Sequence, residues 1–251
     1  MAAKEAKEAK EAADKSGRAA AALWSEPEWN FWQTLFLLLI NYLALFLFGW
    51  LGAQPYPGER AGVVEYLIRG FGGAFVTFAL LSLFLRLKKL TPAALGLDRP
   101  RFSHALSGIG GGFILFLLAG LSGYLISLLF GEPDTQNFAL AVEGSDSWWQ
   151  LAALLLLGSV IAPLQEELMF RGLAYPPLRK MYGPAGGMAR SAVFFALIHF
   201  DLPRFLPILI GGFLLCRLFE RSRSLWPSII AHGVWNGLMV AIVVIQRDFL
   251  N

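Results

Sequence analysis

GSVIAPLQEELMFRGLAYPPLR, residues 158–179, closes a long apolar run and sets three charges inside it: Glu166, Glu167 and Arg171. At the centre of a bilayer each charge costs roughly 2.5–3.5 kcal/mol, so three cost on the order of 8–10. The Leu, Ile, Val and Phe residues around them return about 3–6 kcal/mol. The stretch does not offset its own charges. They must be paired, hydrated or turned toward other helices, and an ionisable cluster at membrane depth is a functional-site hypothesis by default.

Composition sets the context. Of 251 residues 56% are hydrophobic and 16% charged, and the mean hydropathy is +0.56. Apolar runs fall at about 31–53, 63–86, 105–130, 148–172, 185–200, 205–219 and 225–246. The first four and the last are long enough to span a bilayer. The fifth and sixth are short, and read either as tilted spans or as a re-entrant pair joined at Asp201–Leu202–Pro203. No strand-like alternation competes, so the class is all-α: a polytopic transmembrane helical bundle of about seven (six to eight) membrane helices. Residues 1–30 read as a polar, partly helical extension. Lys4–Glu8 and Lys7–Glu11 stand at helical spacing, Ser25 and Glu28 are placed for a capping box, and Trp24, Trp29 and Trp32 are placed for an interface belt. Residues 31–251 form the membrane domain.

Charge sets an orientation. Loop 87–104 carries Lys88, Lys89, Arg99 and Arg101, loop 173–184 carries Arg179 and Lys180, and 220–224 carries Arg221 and Arg223. Loop 131–146 has no Lys or Arg and holds Glu132, Asp134, Glu143 and Asp146. The positive-inside rule, with Lys15 and Arg18 in the arm, puts the N-terminus in the cytoplasm and the C-terminus on the opposite side. The basic residues thus serve topology, and the net charge of +3 gives no case for nucleic acid as a partner. The single cysteine, Cys216, permits no internal disulfide and reads as a small buried hydrophobe. Gly108 and Gly112, Gly211 and Gly212, and Gly233 and Gly237 read as helix-packing positions.

Two of the three histidines also lie in apolar runs. Spacings of four place Glu167 with Arg171, Phe195 with His199, and His232 with Asn236 on common helix faces. Each pair has a structural reading: an ion pair, a hydrogen-bonded core histidine, interhelical glue. Glu166 is rotated about 100° from Glu167 and has only Ala162 and Phe170 one turn away. One carboxylate can serve Arg171 while the other points at a reacting centre. A carboxylate, two imidazoles and an amide are the parts for activating water and stabilising an oxyanion.

The ordered set Glu166-Glu167-x-x-x-Arg171, Phe195-x-x-x-His199 and His232-x-x-x-Asn236 resembles the three motifs of the CAAX-protease and bacteriocin-processing family, the intramembrane endopeptidases that include Rce1-type prenyl-protein proteases and bacterial "abortive infection" proteins. The resemblance implies an intramembrane endopeptidase in which Glu166 is the general base and His199 holds the water or shares its proton. His232 and Asn236 would donate to the oxyanion, and Glu167 and Arg171 would fix the helix presenting Glu166. It also implies a bilayer and a membrane-proximal peptide or protein substrate as partners, lipidated substrates among them. The cavity would open toward the cytoplasmic side. It leaves the catalyst's type open between glutamate-dependent and metallo. Zinc, if used, would sit on Glu166, His199 and His232, but Asn236 suits an oxyanion better than zinc and H-E-x-x-H is lacking, so the expectation is a metal-free site. Two other classes fit the same residues: a proton-coupled transporter or channel with Glu166, His199 and His232 as a relay, and a non-catalytic membrane scaffold or immunity factor. One geometric strain stands out. Glu166 lies about 9 Å from the end of a helix stopping at Gly172, and His199 about 21 Å from Ala185. The two share a depth only if the first helix runs on or the second is tilted, and Pro176 and Pro177 argue against a straight continuation.

Overall fold

The computed structural model describes residues 27–51, 62–131 and 133–250, and all regular structure among them is helical. The arm with its Lys–Glu spacings, Trp24, Ser25, Lys15, Arg18 and Glu132 lie outside the described residues. In chain order the helices are α1 (Phe31–Leu51), α2 (Val63–Lys88), α3 (Phe102–Phe130), α4 (Asn137–Glu143), α5 (Trp148–Leu156), α6 (Ala162–Glu167), α7 (Tyr175–Leu197), α8 (Phe205–Ser222) and α9 (Trp226–Ile245). Among the described residues each apolar run of the sequence falls largely on helix. Four stretches are long and apolar enough to cross a membrane: Val63–Lys88, Phe102–Phe130, Trp148–Leu197 and Trp226–Phe249, with Phe31–Leu47 as a shorter apolar helix. The chain is an integral membrane protein.

α1 begins at a reciprocal cap. Asn30 Oδ1 accepts from the Gln33 backbone N–H, and Gln33 Oε1 accepts from that of Asn30. Trp29 leaves the expected interface belt: it is 4% exposed and its indole N–H donates to the Leu173 carbonyl at 2.8 Å. Trp32 is exposed.

The stretch between Trp148 and Leu197 differs most from the reading of its sequence. Helix does not stop near Gly172. α5, α6 and the first part of α7 join through two wide π-helical turns, Leu157–Ile161 and Leu168–Ala174. The second precedes Pro176 and Pro177, so these prolines stand in the first turn of α7, where a missing N–H costs least. Residues 173–182, expected as loop, are therefore helical, and the geometric strain is resolved by continuation. The true break is Gly183, at φ 70° and ψ 174°, a conformation open essentially to glycine alone, and Pro184 restarts the helix.

Glycines set the approach of neighbouring helices. A Cβ on Gly108 or Gly112 of α3 would collide with Ile230 or Val234 of α9, and one on Gly212 of α8 would press on Ala192 and Phe195 of α7. The loops segregate by charge. Leu225 N–H donates to the Gly96 carbonyl, Ser224 Oγ–H to Asp98 and Trp226 Nε1–H to the Asp98 carbonyl. Loop 89–101, with Lys89, Arg99 and Arg101, and turn 222–225, with Arg223, thus share one end of the bundle. At the other end Arg247 donates to the carbonyls of Val142 and Ser145, and Gln136 to Asp201. Within 131–146, expected as a plain loop, Asn137–Glu143 fold back as α4. Val142 is fully buried against Leu67, Leu154, Leu157 and Val240.

Candidate active site

The seven motif residues lie on three stretches of chain that meet in the bundle core. α6 and the π turn after it carry Glu166, Glu167 and Arg171. α7 carries Phe195 and the turn that follows it carries His199, and the first half of α9 carries His232 and Asn236.

The two carboxylates have different surroundings, as their rotation about the helix predicts. Glu167 and Arg171 are both 0% exposed. Arg171 Nη1–H donates to Glu167 Oε1 at 2.7 Å and Nη2–H to the Gly212 carbonyl of α8 at 3.1 Å. The guanidinium also lies over the Phe195 ring, 4.3 Å from its centroid. Arg171 thus ties three helices together, which offsets the cost of burying its charge. His232 Nδ1 lies 2.9 Å from the same Glu167 Oε1. A carboxylate only accepts, so Nδ1 carries the proton and Nε2 is left facing outward.

What Nε2 faces is Glu166. Its Oε2 stands 3.8 Å away, and the Glu166 side chain keeps 27% of its surface accessible. Oε2 itself is enclosed and makes no hydrogen bond to the protein. The distance is too long for a direct hydrogen bond.

His199 joins through Phe195. Its Nδ1 lies 2.7 Å from the Phe195 carbonyl, so Nδ1–H donates there and Nε2 is unprotonated in the neutral ring. The Phe195 ring stands 4.6 Å from the His199 ring and 6.0 Å from that of His232, edge to face with both. Asn236 lies one turn beyond His232 on α9, where its Nδ2–H donates to the Gly158 carbonyl in the first π turn at 2.8 Å. That leaves its second N–H and its Oδ1 for other partners.

The structure thus brings Glu166, Glu167, Arg171 and His232 into one contiguous cluster, places His199 against it through Phe195, and places Asn236 one turn away. Among the described residues no three His, Cys, Asp or Glu side chains form a group able to hold a metal ion. The set Glu166, His199 and His232 is therefore not gathered as a ligand set here. Beneath Arg171 the basic end is filled: Leu95, Leu173, Tyr175 and Leu225 are fully buried, and Gly172 packs on Leu95. An apolar depression of about 370 Å³ on the outer face of α7, lined by Phe31, Met181, Val193 and Leu197 among others, lies apart from this cluster.

Three features carry no chemical signal in the sequence. Gly158 offers its backbone carbonyl to Asn236. Gly212 offers its own to Arg171; it was legible only as a packing glycine. Ser159 packs so closely that a Cβ on Gly233 would run into its carbonyl.

Comparison with known proteins agrees with this geometry. Residues 148–238 match the family model for the type II CAAX prenyl endopeptidase Rce1-like domain. The chain is 25% identical over 212 residues to "Putative membrane peptidase YdiL" of Bacillus subtilis (strain 168), an alignment covering 82% of each protein. No solved structure matches the chain. The matched segment holds all three motifs and every residue of the cluster, and the family model and this relative both support the resemblance to the CAAX-protease and bacteriocin-processing family of membrane peptidases.

Proposed function

We propose that the protein is an intramembrane endopeptidase whose nucleophile is a water activated by Glu166. The observation that carries this reading is the division of labour between adjacent carboxylates. Glu167 Oε1 holds both Arg171 and His232 in a fully buried side chain, whereas Glu166 makes no such tie, keeps 27% of its side chain accessible and stands 3.8 Å from His232 Nε2. A base needs a free lone pair that water can reach; Glu167 Oε2 is also unpartnered, but the Glu167 side chain is 0% exposed, and of the two carboxylates only Glu166 keeps accessible surface.

In this mechanism Glu166 takes a proton from water as the water oxygen bonds to the scissile carbonyl carbon. The resulting oxyanion accepts from the free Nδ2–H of Asn236 and from His232 when Nε2 is protonated. His199, with Nδ1–H held by Phe195, offers Nε2 to position the water or to share its proton. The carbon–nitrogen bond then breaks, and the proton taken from water passes to the departing amine, leaving Glu166 ionised for the next cycle. Arg171 and Glu167 hold the register of the helix and the orientation of the His232 ring. The residues present do not form a three-ligand metal set, so no step is assigned to a metal.

The substrates are membrane-proximal peptide segments, lipidated C-termini among the candidates. The basic end of the bundle faces the cytoplasm, with the N-terminus on that side and the C-terminus opposite. The test is purified protein in liposomes, assayed with a panel of fluorogenic peptides and, in parallel, for proton flux. Cleavage without flux is expected. Flux without cleavage would replace this reading with a transporter.

A further inference from the structure

The turn that carries His199 is built in an unusual way. It joins α7 to α8 over residues 198–204, and Phe200 within it sits at φ 49°. A bulky aromatic residue in the left-handed region is disfavoured by about 1–2 kcal/mol and persists only where its surroundings hold it. They do so from both sides. Asp201 Oδ1 accepts the Arg204 backbone N–H at 3.1 Å, and its Oδ2 accepts from Arg204 Nη1–H at 2.9 Å and from Gln136 Nε2–H at 3.1 Å. Arg204 Nη2–H in turn donates to the Asp134 carbonyl at 2.5 Å. The turn is thus clamped to the segment 133–138, far away in sequence.

That segment reaches the opposite wall of the site. Two residues after Gln136, the Phe138 ring fills the space where a side chain on Gly158 would stand. Phe138 also packs on Tyr66, with ring centroids 6.1 Å apart. Gly158 is the residue whose carbonyl holds Asn236. A short strap therefore connects the Asn236 wall to the His199 turn: Gly158 to Phe138, Gln136 to Asp201, and Asp201 to His199 two residues back. The His199 ring is held by its Nδ1–H bond to the Phe195 carbonyl and by packing on the Phe195 ring, and the strap supplies the further constraint that fixes where Nε2 points.

We infer that Asp201 and Gln136, with Arg204, are positioning residues that set the distance of His199 from the Glu166–His232 pair. This rests on the role given to His199 above. A misplacement of a catalytic group by about 1 Å costs up to roughly 100-fold in rate, so a loosened strap acts on turnover.

The experiment compares Gln136→Ala, Asp201→Ala, Asp201→Asn and His199→Ala by kcat, KM and melting temperature, with purified full-length protein and one cleaved peptide. Gln136 is exposed, so its alanine variant tests the strap without a folding defect. The expectation is that Gln136→Ala and Asp201→Ala lower kcat roughly 10- to 100-fold with KM unchanged, and that Gln136→Ala does so with the melting temperature unchanged. Asp201→Asn, which keeps the cap on the Arg204 N–H, recovers part of the loss. Wild-type kcat in both alanine variants, or losses that track melting temperature and are not relieved by asparagine, would overturn the inference while leaving His199 in place. Full activity in His199→Ala would instead remove the catalytic role of His199.

Discussion

Arg171→Ala removes the most heavily tied side chain of the core, and its cost can be worked from its contacts. Arg171 and Glu167 are fully buried, and removing one member of a buried pair leaves an uncompensated charge, which costs about 3–5 kcal/mol. That range includes the lost hydrogen bond to the Gly212 carbonyl, and loss of the contact over Phe195 adds about 1–2 kcal/mol. One term works the other way. Glu167 Oε1 keeps the His232 Nδ1–H at 2.9 Å, so its carboxylate is not orphaned. The charge term then sits at the low end, and the total is about 4 kcal/mol. For a chain of this length that lowers the melting temperature by roughly 8–16 °C. The assay is thermal unfolding in detergent followed by tryptophan fluorescence, beside the double variant Glu167→Gln/Arg171→Met. The double variant removes the charge with its partner and recovers most of the stability. It does not recover turnover, because His232 then rests on a neutral amide. An unchanged melting temperature in Arg171→Ala, or a double variant no more stable than the single, would refute the reasoning.

Three further predictions address other parts of the molecule. Gly233→Ala puts a methyl group against the Ser159 carbonyl, forcing α9 away from the first π turn; it costs about 1–3 kcal/mol and lowers activity through Asn236, and a variant with wild-type melting temperature and rate would contradict the close packing. Burial pushes the Asp201 carboxyl up, but hydrogen bonds from the Arg204 side chain, Gln136 and the Arg204 backbone outweigh it and hold the group below the ordinary carboxylate range. Its stabilisation is therefore full above the unfolded value of about 3.9 and lost as pH falls through the lower folded value. Melting curves from pH 7 to 3 should show an extra loss below about pH 4 in the wild type that Asp201→Asn lacks, and parallel curves would contradict it. Dialysis against a strong chelator leaves peptide cleavage intact; loss of cleavage that zinc restores would assign the site a metal.

Much of this was legible in the sequence because helical spacing is local. Four-residue intervals placed Glu167 under Arg171 and His232 under Asn236, and the one-residue offset of Glu166 separated its surroundings from those of its neighbour. The apolar runs marked the helices for the same reason. Illegible were the features that depend on distant partners or on small departures from regular geometry. The π turns at Leu157–Ile161 and Leu168–Ala174 carry no distinctive composition, so Pro176 and Pro177 read as a stop where they follow a widened turn. Trp29 read as an interface residue because its partner, the Leu173 carbonyl, is 144 residues away. The Gln136–Asp201 bond joins residues 65 apart, each ordinary in its own loop. Backbone acceptors such as Gly158 and Gly212 have no side chain by which a sequence could announce them.

The most direct measurement is the turnover of Glu166→Gln on a cleavable peptide in liposomes, beside its melting temperature. Glutamine keeps the shape and the position next to His232 but cannot take a proton from water. Folding and insertion matching the wild type, with cleavage abolished, is the result predicted here; wild-type turnover in a folded Glu166→Gln would contradict the assignment of this carboxylate as the base.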